Sequence, residues 1–200
     1  MTAATGTDRA PLTDRGRRTR ESLLLAAREV FEKQGYSSTR MGDIAAAAGV
    51  SHGTVYTYFD TKESVLAAVV QQVIDDLMAS LAASTAADPL DRIRDANARY
   101  LDAYAQHAGL LQVVEEAAFT DEAFAEILTT LRRTHVRRVA AAVRRLQAEG
   151  AASADLDADS SAAALCAMVE GFARHHSTDS NANHTLTTLW ARALGLSHLE

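Results

Sequence analysis

The chain has 200 residues, 48% of them apolar, with a formal charge of -6 at pH 7, one cysteine, two prolines and ten glycines. That supports one mid-sized or two small packed domains and excludes a chain disordered throughout. The lone Cys166 excludes an intrachain disulfide and suits a reducing, cytoplasmic setting, and no apolar run reaches the ~18 residues that a bilayer span needs.

Alanine is abundant and no alternating β-branched run occurs, so an all-α protein is expected. The negative charge is unevenly spread. Residues 1–62 hold nine Lys and Arg against seven Asp and Glu, a balance of +2 that leaves -8 for the remainder. A locally basic head on an acidic body suits a protein that meets phosphates with one end only.

Residues 1–13 are Thr- and Ala-rich without periodicity and predict a disordered lead, and no apolar stretch follows their charges to make a secretory signal. From Asp14 to Gln34 the positions Leu23, Leu24, Ala27, Val30 and Phe31 recur at threes and fours, as on an amphipathic helix, and Gly35 ends it. Arg15, Arg17, Arg18 and Arg20 at its start read either as a solvated face or as contacts to phosphate or minor groove.

Residues 39–62, TRMGDIAAAAGVSHGTVYTYFDTK, carry the strongest signal. Ile44 and Ala48 share one helix face, and the small Ala45 admits a crossing helix. Gly49 supplies the positive φ that a tight helix-to-helix turn needs, and Ser51 is a good N-cap for a helix from His52. Val55 and Phe59 then face inward, leaving His52, Gly53, Thr54, Tyr56, Thr57 and Tyr58 outward, a set of hydroxyls and ring edges suited to a DNA groove. Asp60 and Glu63 have capping-box spacing, which would put Lys62 in a first helical turn, where an ammonium beside free N–H groups completes a phosphate site.

The run from about Arg18 to Leu66 resembles the DNA-binding domain of TetR-family transcriptional regulators, through FEKQGY, SSTR, IAAAAGVSHGTVYTYF and TKESVL. The resemblance covers roughly a quarter of the chain. It implies DNA contacts from Arg40, Ser51, His52, Gly53, Thr54, Tyr56, Thr57, Tyr58 and Lys62. Met41 falls among these positions too, but stands where many relatives carry a small hydroxyl residue.

From Thr61 to about Ala86 a long helix is expected, linking a head at 14–60 to a body at 61–197, with Asp88-Pro89 ending it and starting the next. In residues 88–107, Asn97, Tyr100 and Tyr104 lie on an apolar stripe, either as core residues or as a cavity lining. Gly109 is expected to break that helix before a short one at 110–118, and Asp121 to cap a helix through Glu149. Its inner face includes Phe124, Leu128, His135, Val139 and Val143, and its paired arginines from Arg132 to Arg145 read as a solvated face rather than a second nucleic-acid site.

Two terminal helices carry Leu165, Met168, Val169 and Phe172, then Leu186, Leu189, Trp190 and Leu194, with small residues such as Ala163, Ala167 and Gly171 between. Such helices bury their surface by pairing with a second copy, as the resemblance also implies. Neighbouring His175 and His176 diverge on a helix, no catalytic or phosphate-loop motif occurs, and neither catalysis nor a metal or other cofactor is expected.

The expected protein is therefore an all-α, homodimeric regulator of double-stranded DNA with a near-palindromic operator. It has a small-molecule effector held near Tyr100, Tyr104, Phe124, Leu128, Met168 and Phe172, and no membrane partner. The alternative is a small helical ligand-binding protein or enzyme with an interhelical pocket.

Overall fold

The computed structural model describes residues 13–80 and 84–196, which form eight α-helices and no strand. These are α1 (Asp14–Ser38), α2 (Met41–Ala47), α3 (His52–Tyr58), α4 (Lys62–Ser80), α5 (Pro89–Ala118), α6 (Glu122–Ala148), α7 (Ala158–His176) and α8 (Ala182–Ala193). The lead expected over 1–13 lies outside the described residues except for Thr13, whose hydroxyl caps α1 by accepting from Gly16 N–H at 3.2 Å. No described helix is long and apolar enough to cross a membrane.

Contacts divide the chain into two compact units, one of residues up to Val73 with Gly109–Ala125, the other of Ile74–Ala108 with Glu126 onward. In the first unit, Leu23, Leu24, Ala27 and Phe31 of α1 are buried with Ile44 and Ala45 of α2, Val55 of α3, and Val65, Leu66 and Val69 of α4. Each fully buried aliphatic or aromatic side chain contributes about 1.5–3 kcal/mol by leaving water, which is what three short or kinked helices need to stay folded.

Gly35 breaks α1 at φ 79°, ψ 171°, so a last turn over residues 36–38 swings away from the helix proper. Gly109 behaves differently. It lies inside α5, which runs unbroken to Ala118 and corrects the expected break. Its missing side chain serves packing: a Cβ there would meet Glu32 Cγ and Cδ at 3.3 Å. A glycine that permits close approach costs a helix only about 1 kcal/mol, far short of ending it.

Two further expectations are corrected. Residues 84–86 are not helical, so the long linking helix stops short of Ala86; its expected Leu81 lies outside the described residues. The N-cap of α4 is Thr61 rather than Asp60: Thr61 Oγ1 accepts from Ser64 N–H and Ser64 Oγ accepts from Thr61 N–H, both at 3.2 Å. Ser64 therefore completes the reciprocal cap one residue later than Glu63 would, and Glu63 is left to accept from the Tyr36 hydroxyl at 2.9 Å.

In the second unit, Asp88 Oδ2 caps α5 at Asp91 N–H, with Pro89 at the first helical position, where its missing N–H is harmless. Ile93, Leu101 and Tyr104 of α5, Val143 and Leu146 of α6, Leu165 and Val169 of α7, and Leu186 and Trp190 of α8 are buried. Asp157 caps α7 by accepting from Ser160 N–H at 2.8 Å.

Candidate functional site

The turn between α2 and α3 is built as its residues dictate. Gly49 takes φ 65°, and Val50 N–H donates back to Ala45 O at 3.0 Å. Ser51 Oγ accepts from Thr54 N–H at 3.2 Å and shares a 2.8 Å bond with the Thr54 hydroxyl, starting α3 at His52. Val55 is fully buried and Phe59 nearly so, which fixes the rotation of α3 about its axis.

The opposite face is polar and open. Ser51, His52, Gly53, Tyr56 and Thr57 are exposed, and Thr54 and Tyr58 are half-buried. The His52 and Tyr56 rings lie 5.1 Å apart, and Thr57 Oγ1 donates to Gly53 O at 3.1 Å. Arg40 is exposed at the N-cap of α2, its N–H donating to Asp43 Oδ2 at 2.9 Å. Met41 is buried and belongs to the core rather than to this face.

Lys62 starts α4 as expected, but its ammonium has a partner within the chain. Nζ donates to Tyr36 O at 2.8 Å and lies 4.2 Å from the centre of the Tyr36 ring. The same corner holds Glu116, whose carboxylate accepts from Tyr36 N–H at 2.9 Å and Ser37 N–H at 3.0 Å. Hydrogen bonds from the Ser37 side chain first, then from the Ser37 and Tyr36 N–H groups, hold the Glu116 carboxyl below its ordinary range. A Cβ at Gly35 would sit 2.8 Å from Glu116 Oε2, so the kink in α1 and the carboxylate of α5 fit only with glycine there. No sequence signal joins residues 35–37 to Glu116, because their separation is set by the fold.

The second unit holds a cavity of about 410 Å³. Its walls are Ile93, Asn97 and Tyr100 of α5, His135, Val139, Val143 and Leu146 of α6, Val169 of α7, and Trp190 and Leu194, with Arg92, Arg99, Arg138 and Arg145 also lining it. Of the six residues expected to hold a ligand, the structure puts Tyr100 on this wall. Tyr104 is buried 6.3 Å from Tyr100, ring to ring, without lining the cavity, and Leu128, Met168 and Phe172 do not line it either. Phe124 belongs to the first unit, edge-on to Tyr36 at 5.9 Å.

The wall residues absent from that expectation include Trp190 and the arginines. Arg138 and Arg145 are seven apart on α6, as Arg92 and Arg99 are on α5, and that spacing returns to one helix face. It was the available signal, hidden because each arginine of α6 also has an arginine neighbour in sequence.

His135 stacks on Tyr100 at 4.9 Å, and burial pushes its imidazole down to about 4, so it is neutral at pH 7. Because the folded pKa lies below the ordinary 6.5, the unfolded chain binds the proton first as pH falls. Stability from this group is then lost between pH 6.5 and about 4, by up to about 1.4 kcal/mol per pH unit. Urea midpoints across that window should fall less steeply for His135→Leu than for the parent chain.

Two short helices joined by a glycine turn, braced by a third and presenting a polar edge, make the first unit a helix-turn-helix module. Residues 23–69 match the family described as bacterial regulatory proteins, tetR family. Over 170 residues the chain is 30% identical to the HTH-type transcriptional regulator EthR of Mycobacterium tuberculosis, with 78% of each chain covered. Over 101 residues it is 32% identical to the HTH-type transcriptional repressor Rv3405c of the same organism, covering 50% of this chain and 54% of that one. The chain thus spans about half the length of that curated relative. Among solved structures, Salmonella enterica GusR has a TM-score of 0.74 at 25% identity, covering 92% of this chain and 98% of its own.

The chain belongs to the tetR family of bacterial regulatory proteins. Its relatives are transcriptional regulators, and the enzymatic alternative falls with that membership.

Proposed function

We propose that this is a homodimeric DNA-binding repressor that leaves a near-palindromic operator when a small apolar or amphipathic molecule occupies its body. The observation that carries the reading is the open face of α3, where His52, Tyr56 and Thr57 are exposed above a fully buried Val55. Hydroxyl and ring-edge groups at that place can bond to base edges, while Arg40, Gly53 and the first turn of α4 are available to phosphates. The relative Rv3405c, a transcriptional repressor by name, supports repression as the sign of control.

Pairing of two copies is supported by α7. Its exposed residues include Ala163, Ala164, Ala167 and Gly171, a small-residue face on which a second helix can approach closely, and Leu189 of α8 is 44% exposed. The effector role is supported by the cavity, whose size falls in the range of small-molecule sites. Helix α4 has residues in both units, so occupancy that favours one setting of its C-terminal half is felt at its N-terminal half. The leverage equals the ligand's differential affinity for the two settings.

Titration of a labelled duplex carrying the sequence upstream of the protein's own gene tests the reading. The parent chain should bind it in preference to random duplex. Tyr56→Phe should lose about 1–3 kcal/mol of that binding with an unchanged melting midpoint, since the side chain is exposed. Equal binding of both duplexes by the parent chain would contradict it.

A further inference from the structure

We infer that the cavity of the second unit takes a small carboxylate with an apolar body, its head group among guanidinium groups and its tail along the aliphatic wall. This rests on the effector reading of the cavity and adds the charge of the effector. Arg92, Arg99, Arg138 and Arg145 line the cavity, and among the described residues no acidic one does. They come as two pairs seven residues apart, one on α5 and one on α6, so each helix brings a pair of arginine side chains to the same wall.

At Arg138 the nearest partner leaves positive charge at the wall. Arg92 is engaged by Glu149, with Nη1 on Oε1 at 3.0 Å, but Arg138 donates to the neutral carbonyl of Met78 at 3.1 Å. Arg138 and Arg145 are exposed, so the cavity reaches the surface where they stand. Among the described residues, two buried polar atoms of the wall have no hydrogen-bond partner, Arg92 Nε and Trp190 Nε1, and both are donors. Trp190 is 7% exposed.

An ammonium would meet like charges, and it brings no acceptor. An alcohol brings a lone pair and no charge. A carboxylate brings lone pairs and charge together, in the geometry a guanidinium binds best. Ile93, Val139, Val143 and Leu146 supply the apolar wall for its body.

Trp190 is the only tryptophan of the chain, so its emission reports on the cavity directly. The full-length protein is titrated with octanoate, octanol and octylamine at neutral pH, with and without a bound duplex. Octanoate should saturate with an affinity about tenfold tighter than octanol, octylamine should bind weakest, and added salt should weaken octanoate alone. Arg138→Gln and Arg145→Gln should each move octanoate toward the octanol affinity while leaving octanol unchanged.

Octanol or octylamine binding as tightly as octanoate, unchanged octanoate binding in both arginine variants, or no saturable response to any probe would each overturn the inference. If octanol releases the duplex and octanoate does not, the effector reading stands and the assigned charge falls. If octanoate binds as expected but the duplex stays bound, the ligand class stands and the regulatory reading falls.

Discussion

Thr57→Glu should abolish measurable operator binding while leaving the fold intact. Thr57 is exposed in the middle of the open face of α3, and its hydroxyl donates to Gly53 O one turn back, so its side chain lies outside the buried core. Glutamate is also the better helix former, so the melting midpoint should move by no more than a surface substitution allows, within about 0.5 kcal/mol. Against DNA the effect is large. A carboxylate pressed toward phosphates meets like charge, at a cost of several kcal/mol, or about 100-fold or more in affinity. Fluorescence anisotropy with a labelled duplex measures it, and retention of parental affinity would remove α3 from the interface.

The second large effect is expected at Phe124. Its side chain is 2% exposed and packs edge-on to Tyr36, within the unit that also holds α1 to α3. Truncation to alanine removes a buried ring and leaves a void, which typically costs about 3–5 kcal/mol. Tyr36 also donates to Glu63 and its carbonyl accepts from Lys62, so loss of Phe124 loosens the corner where α1 ends and α4 begins. Phe124→Ala should therefore lower the urea midpoint sharply while leaving saturable binding to the cavity at parental affinity under native conditions. A variant with normal stability and impaired ligand binding would instead restore Phe124 to the ligand site.

The contrast between Phe124 and Val55 shows what was legible. Val55, Phe59, Gly49 and Ser51 act over a few residues, through helix spacing, a positive φ and an N-cap, and each behaves as its local chemistry requires. Phe124 lies on an apolar stripe that specifies burial but not the partner, and its partner, Tyr36, is far away in sequence. The same limit hid the Glu116 carboxylate from the kinked end of α1.

Helix boundaries failed for a different reason. Thr61 and Asp60 are both good caps, and the outcome turned on Ser64 being able to reciprocate. Gly109 carries both a weak helix propensity and room for Glu32, and packing prevailed over propensity. The cavity was legible in part, through Tyr100 and Asn97. Its arginines were not, because Arg138 and Arg145 have apolar surface and solvent on either side of one helix face, and a charge pattern alone does not say which they line.

The central claim is that two copies of the first unit read DNA through α3, and selection of bound duplexes from a random pool by the full-length chain tests it most directly. The predicted result is enrichment of one inverted pair of half-sites, with centres about one helical turn or a multiple apart, absent in a parallel selection with Thr57→Glu. Enrichment of a single unrepeated site would contradict the paired reading, and a pool left unchanged at low ionic strength would contradict the claim as a whole.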